Sequence, residues 1–121
     1  MSAVTPPVVV QDIESWCVVE FKTASLMDTM ELARIADVIY PLVEVQGKRH
    51  IILDFHSVQY LSSQAIGILL TLNGKLRAHP PSKLVLCGVT PKLMELLKIT
   101  RLDRVLTIKA NQREALKTST D

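Results

Sequence analysis

The sequence predicts an α/β domain built on a mixed, largely parallel sheet. Three observations carry that expectation: short runs dense in β-branched and aliphatic residues, intervening segments whose apolar residues recur at helical spacing, and regular alternation of the two along most of the chain. The expected order is β-β-α-β-α-β-α-β-α, with right-handed crossovers where a helix links parallel strands. At 121 residues the chain is one domain, long enough to bury a core without disulfides or a metal.

Residues 1–7, "MSAVTPP", are small and proline-punctuated and read as a flexible leader to a single domain over 8–118, with 119–121 a polar tail. "VVVQDIE" and "WCVVEFK" are strand-like, and the short polar link between them suits a hairpin or a broken strand. From Asp28 the period changes. Leu32, Ile35, Ile39, Leu42 and Val43 form one apolar helical face, Asp28 and Glu31 suit its start, and Gly47 suits a left-handed stop. Pro41 lies inside this pattern and predicts a kink or weakened ladder near 37–41.

"HIILDF", residues 50–55, is nearly all apolar, as a strand covered on both faces must be. After Tyr60 and Leu61 a helical pattern resumes through Ile66, Leu69, Leu70, Leu72 and Leu76 until Pro80-Pro81 stops it, with Ser62 or Ser63 as its N-cap. "KLVLCG" is a further buried strand. Thr90-Pro91 then opens a helix with Leu93, Met94, Leu96 and Leu97 inward. "RVLTI" gives the last strand, and Asn111 with Glu114 caps a final helix, "QREALK".

Composition excludes several function classes. Fourteen basic against twelve acidic residues leave a net charge of +2, with no charge block to track a phosphate backbone, so nucleic acid is not an expected partner. Aromatic residues make up 4%, too few for base-stacking platforms or ring-lined sugar clefts. Cys17 and Cys87 form no CxxC and read as buried free thiols of a reducing compartment. No apolar run reaches the length of about 18 residues that a membrane helix needs, and no basic-then-apolar leader is present, so a cytoplasmic protein without membrane insertion is expected.

The groups that enzymes need are also missing from the local patterns. There is no GxGxxG, no GxxxxGK[ST] and no GxSxG around Ser62 or Ser63. Asp54 and His56, at spacing two on one strand face, offer two metal ligands, but no third is apparent, and such a pair also serves as a hydrogen-bonded turn. A Ser63-His56 nucleophile pair lacks an orienting third member. His50 and His79 fall at element ends, where histidines are ordinary. No catalytic residue, metal or cofactor is expected.

One polar triplet, Ser62-Ser63-Gln64, interrupts the junction "VQYLSSQAIGILL". A strand-to-helix turn there leaves free amides at a helix N-terminus, where the dipole favours negative charge. Phosphorylation would add roughly −1.5 to −2 charges without unfolding the helix. The plainer reading is one serine as cap and the other solvated.

The strand "ILDF", the turn and helix "LSSQAIGILL", the stretch "LVLCGVTPKLMELLKITRLDRVLTI" and "ASLMD" ahead of the first long helix together resemble the STAS domain of bacterial anti-sigma factor antagonists, from near Val18 to Ile108. The resemblance implies a four- to five-stranded mixed sheet with about four helices mainly on one face, and no catalysis. It also implies a protein-protein switch: a serine at the helix start is phosphorylated by an anti-sigma factor serine kinase and released by a PP2C-type phosphatase. The family's turn commonly reads Asp-Ser-Ser/Thr/Ala-Gly-Leu-Gly. Ser62 here takes the aspartate place, Ser63 the phosphoacceptor place, Gln64 the variable one, Ala65 the first glycine, Ile66 the leucine and Gly67 the second glycine.

Ser63, ahead of Ser62, is therefore the expected phosphorylation site. Asp28, Asp54, His56, Ser62, Ser63, Gln64 and Gly67 are the expected partner-binding residues, and a homodimer is compatible with the family. Ser62 removes a charge beside the acceptor and adds a second hydroxyl, and Ala65 adds a methyl where glycine is usual. Two alternatives use the same surface. One is a non-phosphorylated STAS scaffold subunit of a stress-signalling or lipid-transport assembly; the other is a nucleotide-binding module.

Overall fold

The computed structural model describes residues 7–120. Its main sheet has five strands in the order β1-β2-β4-β6-β7: β1 (Val8–Ile13), β2 (Trp16–Phe21), β4 (His50–Asp54), β6 (Lys83–Cys87) and β7 (Thr107–Lys109). The predicted hairpin forms, with β1 antiparallel to β2 around a turn at Glu14 and Ser15 in which Glu14 takes φ 55°. All later pairings in this sheet are parallel, since each strand is reached through a helix.

Strand alternation divides the core in two. Cys17, Val19 and Phe21, Ile51 and Leu53, and Leu84 and Leu86 face the larger cluster, which α1 (Thr29–Glu44), α2 (Ser63–Arg77) and α3 (Pro91–Ile99) cover. Trp16, Val18, Ile52, Val85 and Cys87 face the other side, where the short α4 (Gln112–Leu116) closes over them with Ala115 and Leu116. Helices thus lie mainly on one face, as expected. At about 1.5–3 kcal/mol for each large side chain buried, the aliphatic core is the main stabilising term.

The helix starts are set by local chemistry. The Asp28 carboxylate accepts from the amides of Met30 and Glu31 at 2.8 and 3.2 Å. The Thr90 hydroxyl accepts from the Leu93 amide at 3.3 Å ahead of Pro91, and the Asn111 side chain from the Glu114 amide at 2.9 Å. α1 continues for most of a turn past Pro41, whose ring costs the ladder one donor. It then ends through Gly47 at φ 70°, with the Lys48 amide donating to the Leu42 carbonyl at 2.8 Å.

Three expectations are revised. α2 buries Ala65, Leu69, Leu72 and Leu76, whereas Leu70 is 41% exposed. Leu70 lies about 100° round the helix from Leu69, and Ala65 fills the inward position one turn earlier. In α3 only Leu93 and Leu97 are fully buried, and Met94 and Leu96 lie at the margin. The last strand starts at Thr107 because Leu102–Arg104 form a 3₁₀ turn, in which the Leu106 amide donates to the Leu102 carbonyl at 2.8 Å and both leucines enter the core.

A second sheet was not expected at all. β3 (Ser25–Leu26) and β5 (Tyr60–Leu61) pair in parallel. β5 runs directly into the Ser62 N-cap, and β3 reaches the Asp28 N-cap after one residue, Met27, so the pairing sets the starts of α1 and α2 side by side. At the chain ends, the Pro7 carbonyl accepts from the Lys22 amide at 2.6 Å, and the Ser119 carbonyl accepts from Lys83 Nζ at 2.6 Å. The rest of the predicted leader and Asp121 of the predicted tail lie outside the described residues.

Candidate functional site

The edge made by the starts of α1 and α2 carries the polar triplet. The Ser62 amide donates to the Leu26 carbonyl at 3.1 Å, and the Ala24 carbonyl accepts from the amides of Gln59 and Tyr60 at 2.7 and 3.1 Å. These bonds hold the two segments together just ahead of their caps. Ser62 is the N-cap of α2, extended at φ −89° and ψ 167°, and its hydroxyl accepts from the Ala65 amide at 3.1 Å.

Ser63 is the first helical residue. It is exposed, and among the described residues its hydroxyl makes no hydrogen bond. The two serines therefore differ: Ser62 is half-buried and engaged, Ser63 free and outward. Gln64 and Gly67 are also exposed, and a Cβ on Gly67 would meet nothing within 4 Å. Ala65 is buried against the main core.

Asp28 is exposed on the same edge, brought there by the β3–β5 pairing. Around it stand apolar side chains that sequence reasoning did not single out: Met27, Met30, which is 67% exposed, and Tyr60, with Lys92 Nζ 4.3 Å above its ring. The β3–β5 pairing, which nothing in the local sequence pattern announces, brings Met27 and Tyr60 to this edge, and Met30 stands on the first turn of α1.

Asp54 and His56 occupy a different place. Asp54 closes β4 on the α4 face and, at 4% exposure, is the only buried charged residue among those described. Its Oδ1 accepts from the His56 amide at 2.9 Å and lies 3.0 Å from His56 Nδ1, and its Oδ2 accepts from Gln112 Nε2 at 2.9 Å. The pair is thus a hydrogen-bonded turn. His56 Nδ1 faces carboxylates rather than Ser63, which removes the conceivable nucleophile pair.

A third ligand-type group, which local spacing did not reveal, comes from β2. Glu20 pairs in register with Asp54, and its Oε2 lies 3.6 Å from His56 Nδ1 while Lys22 bridges its Oε1. The predicted residues therefore fall into two groups: Asp28, Ser62, Ser63, Gln64 and Gly67 along the helix starts, and Asp54 with His56 at the end of the sheet.

The thiols are poor nucleophiles. Burial, reinforced by the Asp12 charge, pushes the Cys17 thiol up to about 11. Burial, with Asp54 and Glu20 adding to it, pushes Cys87 up to about 12. His50 is a structural residue: its Nε2 lies 2.9 Å from the Thr120 carbonyl and its ring meets Trp16 edge-on.

No curated protein sequence matches this chain. Solved structures do. An anti-sigma factor antagonist (STAS) domain protein from Planctomyces limnophilus superposes with a TM-score of 0.81 at 22% identity, over 90% of this chain and 93% of that one. An anti-sigma factor antagonist from Mycobacterium paratuberculosis gives 0.82 at 19% identity, over 94% and 93%. The Bacillus cell fate determinant SpoIIAA in its phosphorylated form gives 0.71 at 17% identity, over 90% and 96%. These likenesses establish the fold, with its mixed sheet and helices mainly on one face. The STAS domain family model matches residues 8–115, nearly the whole described chain, and the protein belongs to the STAS domain family.

Proposed function

We propose that the protein is an anti-sigma factor antagonist-like regulator that docks an anti-sigma factor serine kinase through the edge formed by the starts of α1 and α2, and that phosphorylation of Ser63 releases it. The observation that carries this reading is the division of labour between the serines. Ser62 holds the cap, so Ser63 is left exposed with a free hydroxyl at a helix N-terminus.

A phosphate there would meet the free amides and positive dipole end of α2 and leave the helix intact. The same roughly −1.5 to −2 charges would sit beside Asp28, Met27, Met30 and Tyr60, turning an apolar and weakly charged contact surface strongly acidic. A partner fitted to the unmodified edge would lose affinity through charge repulsion and desolvation. Asp54 and His56 then belong to the margin of the docking surface. A PP2C-type phosphatase would restore the free hydroxyl, and the protein itself performs no catalysis. The setting is the cytoplasm, and self-association into a homodimer is compatible with this edge being free for the kinase.

The experiment is to incubate the protein with ATP and an anti-sigma factor serine kinase from the same organism, and to map phosphate by mass spectrometry. Phosphate on Ser63, with Ser63→Asp weakening the complex and Ser63→Ala preserving it, supports the switch. A stable complex indifferent to phosphatase and to Ser63→Asp would mean a scaffold subunit. A rise in melting temperature with GTP or ATP alone would mean a nucleotide-binding module.

A further inference from the structure

Glu20, Asp54 and His56 each offer one ligand atom, all within 4.8 Å of one another, at the C-terminal ends of β2 and β4 on the face of the sheet that α4 covers. We propose that these three side chains bind a divalent transition metal ion of the zinc class, at a site that uses neither serine and lies at the margin of the docking surface.

Geometry is the first argument. Ligand atoms about 2.1 Å from a common metal, at tetrahedral to right-angled spacing, lie about 3.0–3.4 Å from one another. Asp54 Oδ1 is 3.0 Å and Glu20 Oε2 is 3.6 Å from His56 Nδ1. A metal ion would sit between the imidazole nitrogen and the two carboxylate oxygens, with the side chains drawing in from their present separations, all within 4.8 Å.

Charge is the second. The parallel register sets Glu20 opposite Asp54 on adjacent strands, and like charges placed so repel. Lys22 takes Glu20 Oε1 and offsets one of them. Among the described residues no lysine or arginine pairs with the buried Asp54, whose oxygens meet the Gln112 amide, the His56 amide and ring nitrogens and the Cys87 thiol.

The surroundings are the third. Gln112 fixes Asp54 through Oδ2 and leaves Oδ1 aimed at His56, the outer-sphere orientation that metal-binding carboxylates need. His56 is 52% exposed at its side chain and borders an open hollow lined also by Gly88, Asn111, Gln112 and Arg113. That hollow gives water a route to the remaining coordination positions. At Gly88, φ 69°, a Cβ would stand 2.9 Å from Asp54 Oδ1, so the bare backbone keeps the space beside that oxygen clear.

One imidazole and two carboxylates favour Zn²⁺ and its transition-metal neighbours over Mg²⁺ and Ca²⁺, which prefer oxygen alone. Lys22 holds Glu20 Oε1 and leaves Oε2 facing His56.

The test is calorimetric titration of untagged, chelator-stripped protein with Zn²⁺ and with Mg²⁺, with melting temperature followed in parallel. One equivalent of Zn²⁺ should bind and raise the melting temperature, and Mg²⁺ should do neither. Glu20→Gln and His56→Gln, checked for folding by circular dichroism, should each weaken Zn²⁺ binding at least about tenfold. His79→Gln, at an exposed histidine elsewhere, should leave it unchanged. Absence of saturable Zn²⁺ binding by the unaltered protein, or equal affinity in the folded Glu20→Gln/His56→Gln double variant, overturns the proposal.

Discussion

The Ser62 amide donates to the Leu26 carbonyl at 3.1 Å, joining the residue that caps α2 to the strand that leads into α1. Two helix N-termini that lie far apart in sequence are thereby presented as one edge, and the chemistry of that edge depends on which serine is used structurally. Ser62→Ala removes the acceptor for the Ala65 amide and should lower stability by about 1 kcal/mol, whereas Ser63→Ala should change it by under about 0.5 kcal/mol. Urea unfolding of both variants checks the difference. Equal losses would mean that the serines share the cap.

Ser63→Asp separates stability from docking. An acidic side chain in the first helical turn interacts favourably with the dipole, so the variant should be as stable as the unaltered protein or more stable by about 0.3–1 kcal/mol. Binding to the kinase should nevertheless fall. A variant that loses both stability and binding would point to damage at the helix start rather than to a charge switch.

Much of this arrangement was legible in the sequence wherever one local segment decides it. Asp28, Thr90 and Asn111 announce their helices because a cap needs only a side-chain oxygen and the next few amides. The aliphatic runs at 51–53 and 84–86 announce strands covered on both faces. What escaped depends on distant parts of the chain. The pairing of Ser25–Leu26 with Tyr60–Leu61 is too short to leave a pattern, and the neighbourhood of Glu20 and Asp54 is a matter of strand register. The choice between Ser62 and Ser63 as cap turned on helix phase, the same uncertainty that made Leu70 look buried in place of Ala65.

Two glycines should respond in opposite ways to alanine. Gly67 is a helical residue whose added Cβ meets nothing, so Gly67→Ala should stabilise the protein by about 0.5–1 kcal/mol while hindering close approach of a partner to α2. Gly88 sits at φ 69°, and its Cβ would come within 2.9 Å of both Asp54 Oδ1 and the His56 amide nitrogen. Gly88→Ala should therefore destabilise by about 1–3 kcal/mol. Thermal unfolding of the two variants checks the signs, and a neutral Gly88→Ala would mean that the loop around His56 yields easily.

The buried thiols set the behaviour at alkaline pH. Burial raises Cys17 to about 11 and Cys87 to about 12, from an ordinary 9.0, so the folded protein holds these protons more tightly than the unfolded chain does. A thiol raised on folding contributes stability that is fully present below the unfolded value of 9.0 and is lost as pH rises toward the folded value. Stability should thus fall from about pH 9 upward, and a Cys17→Ala/Cys87→Ala double variant should show a shallower fall, though a lower plateau from the lost sulfur contacts. Urea unfolding at a series of pH values from neutral to 10.5 measures both slopes. Native protein at pH 8 should also react with a thiol reagent only as fast as it opens, because neither sulfur is accessible or ionised in the fold. Rapid labelling of Cys17 or Cys87 without loss of structure would show that the sheet opens locally around them, and the alkaline fall would then have another source.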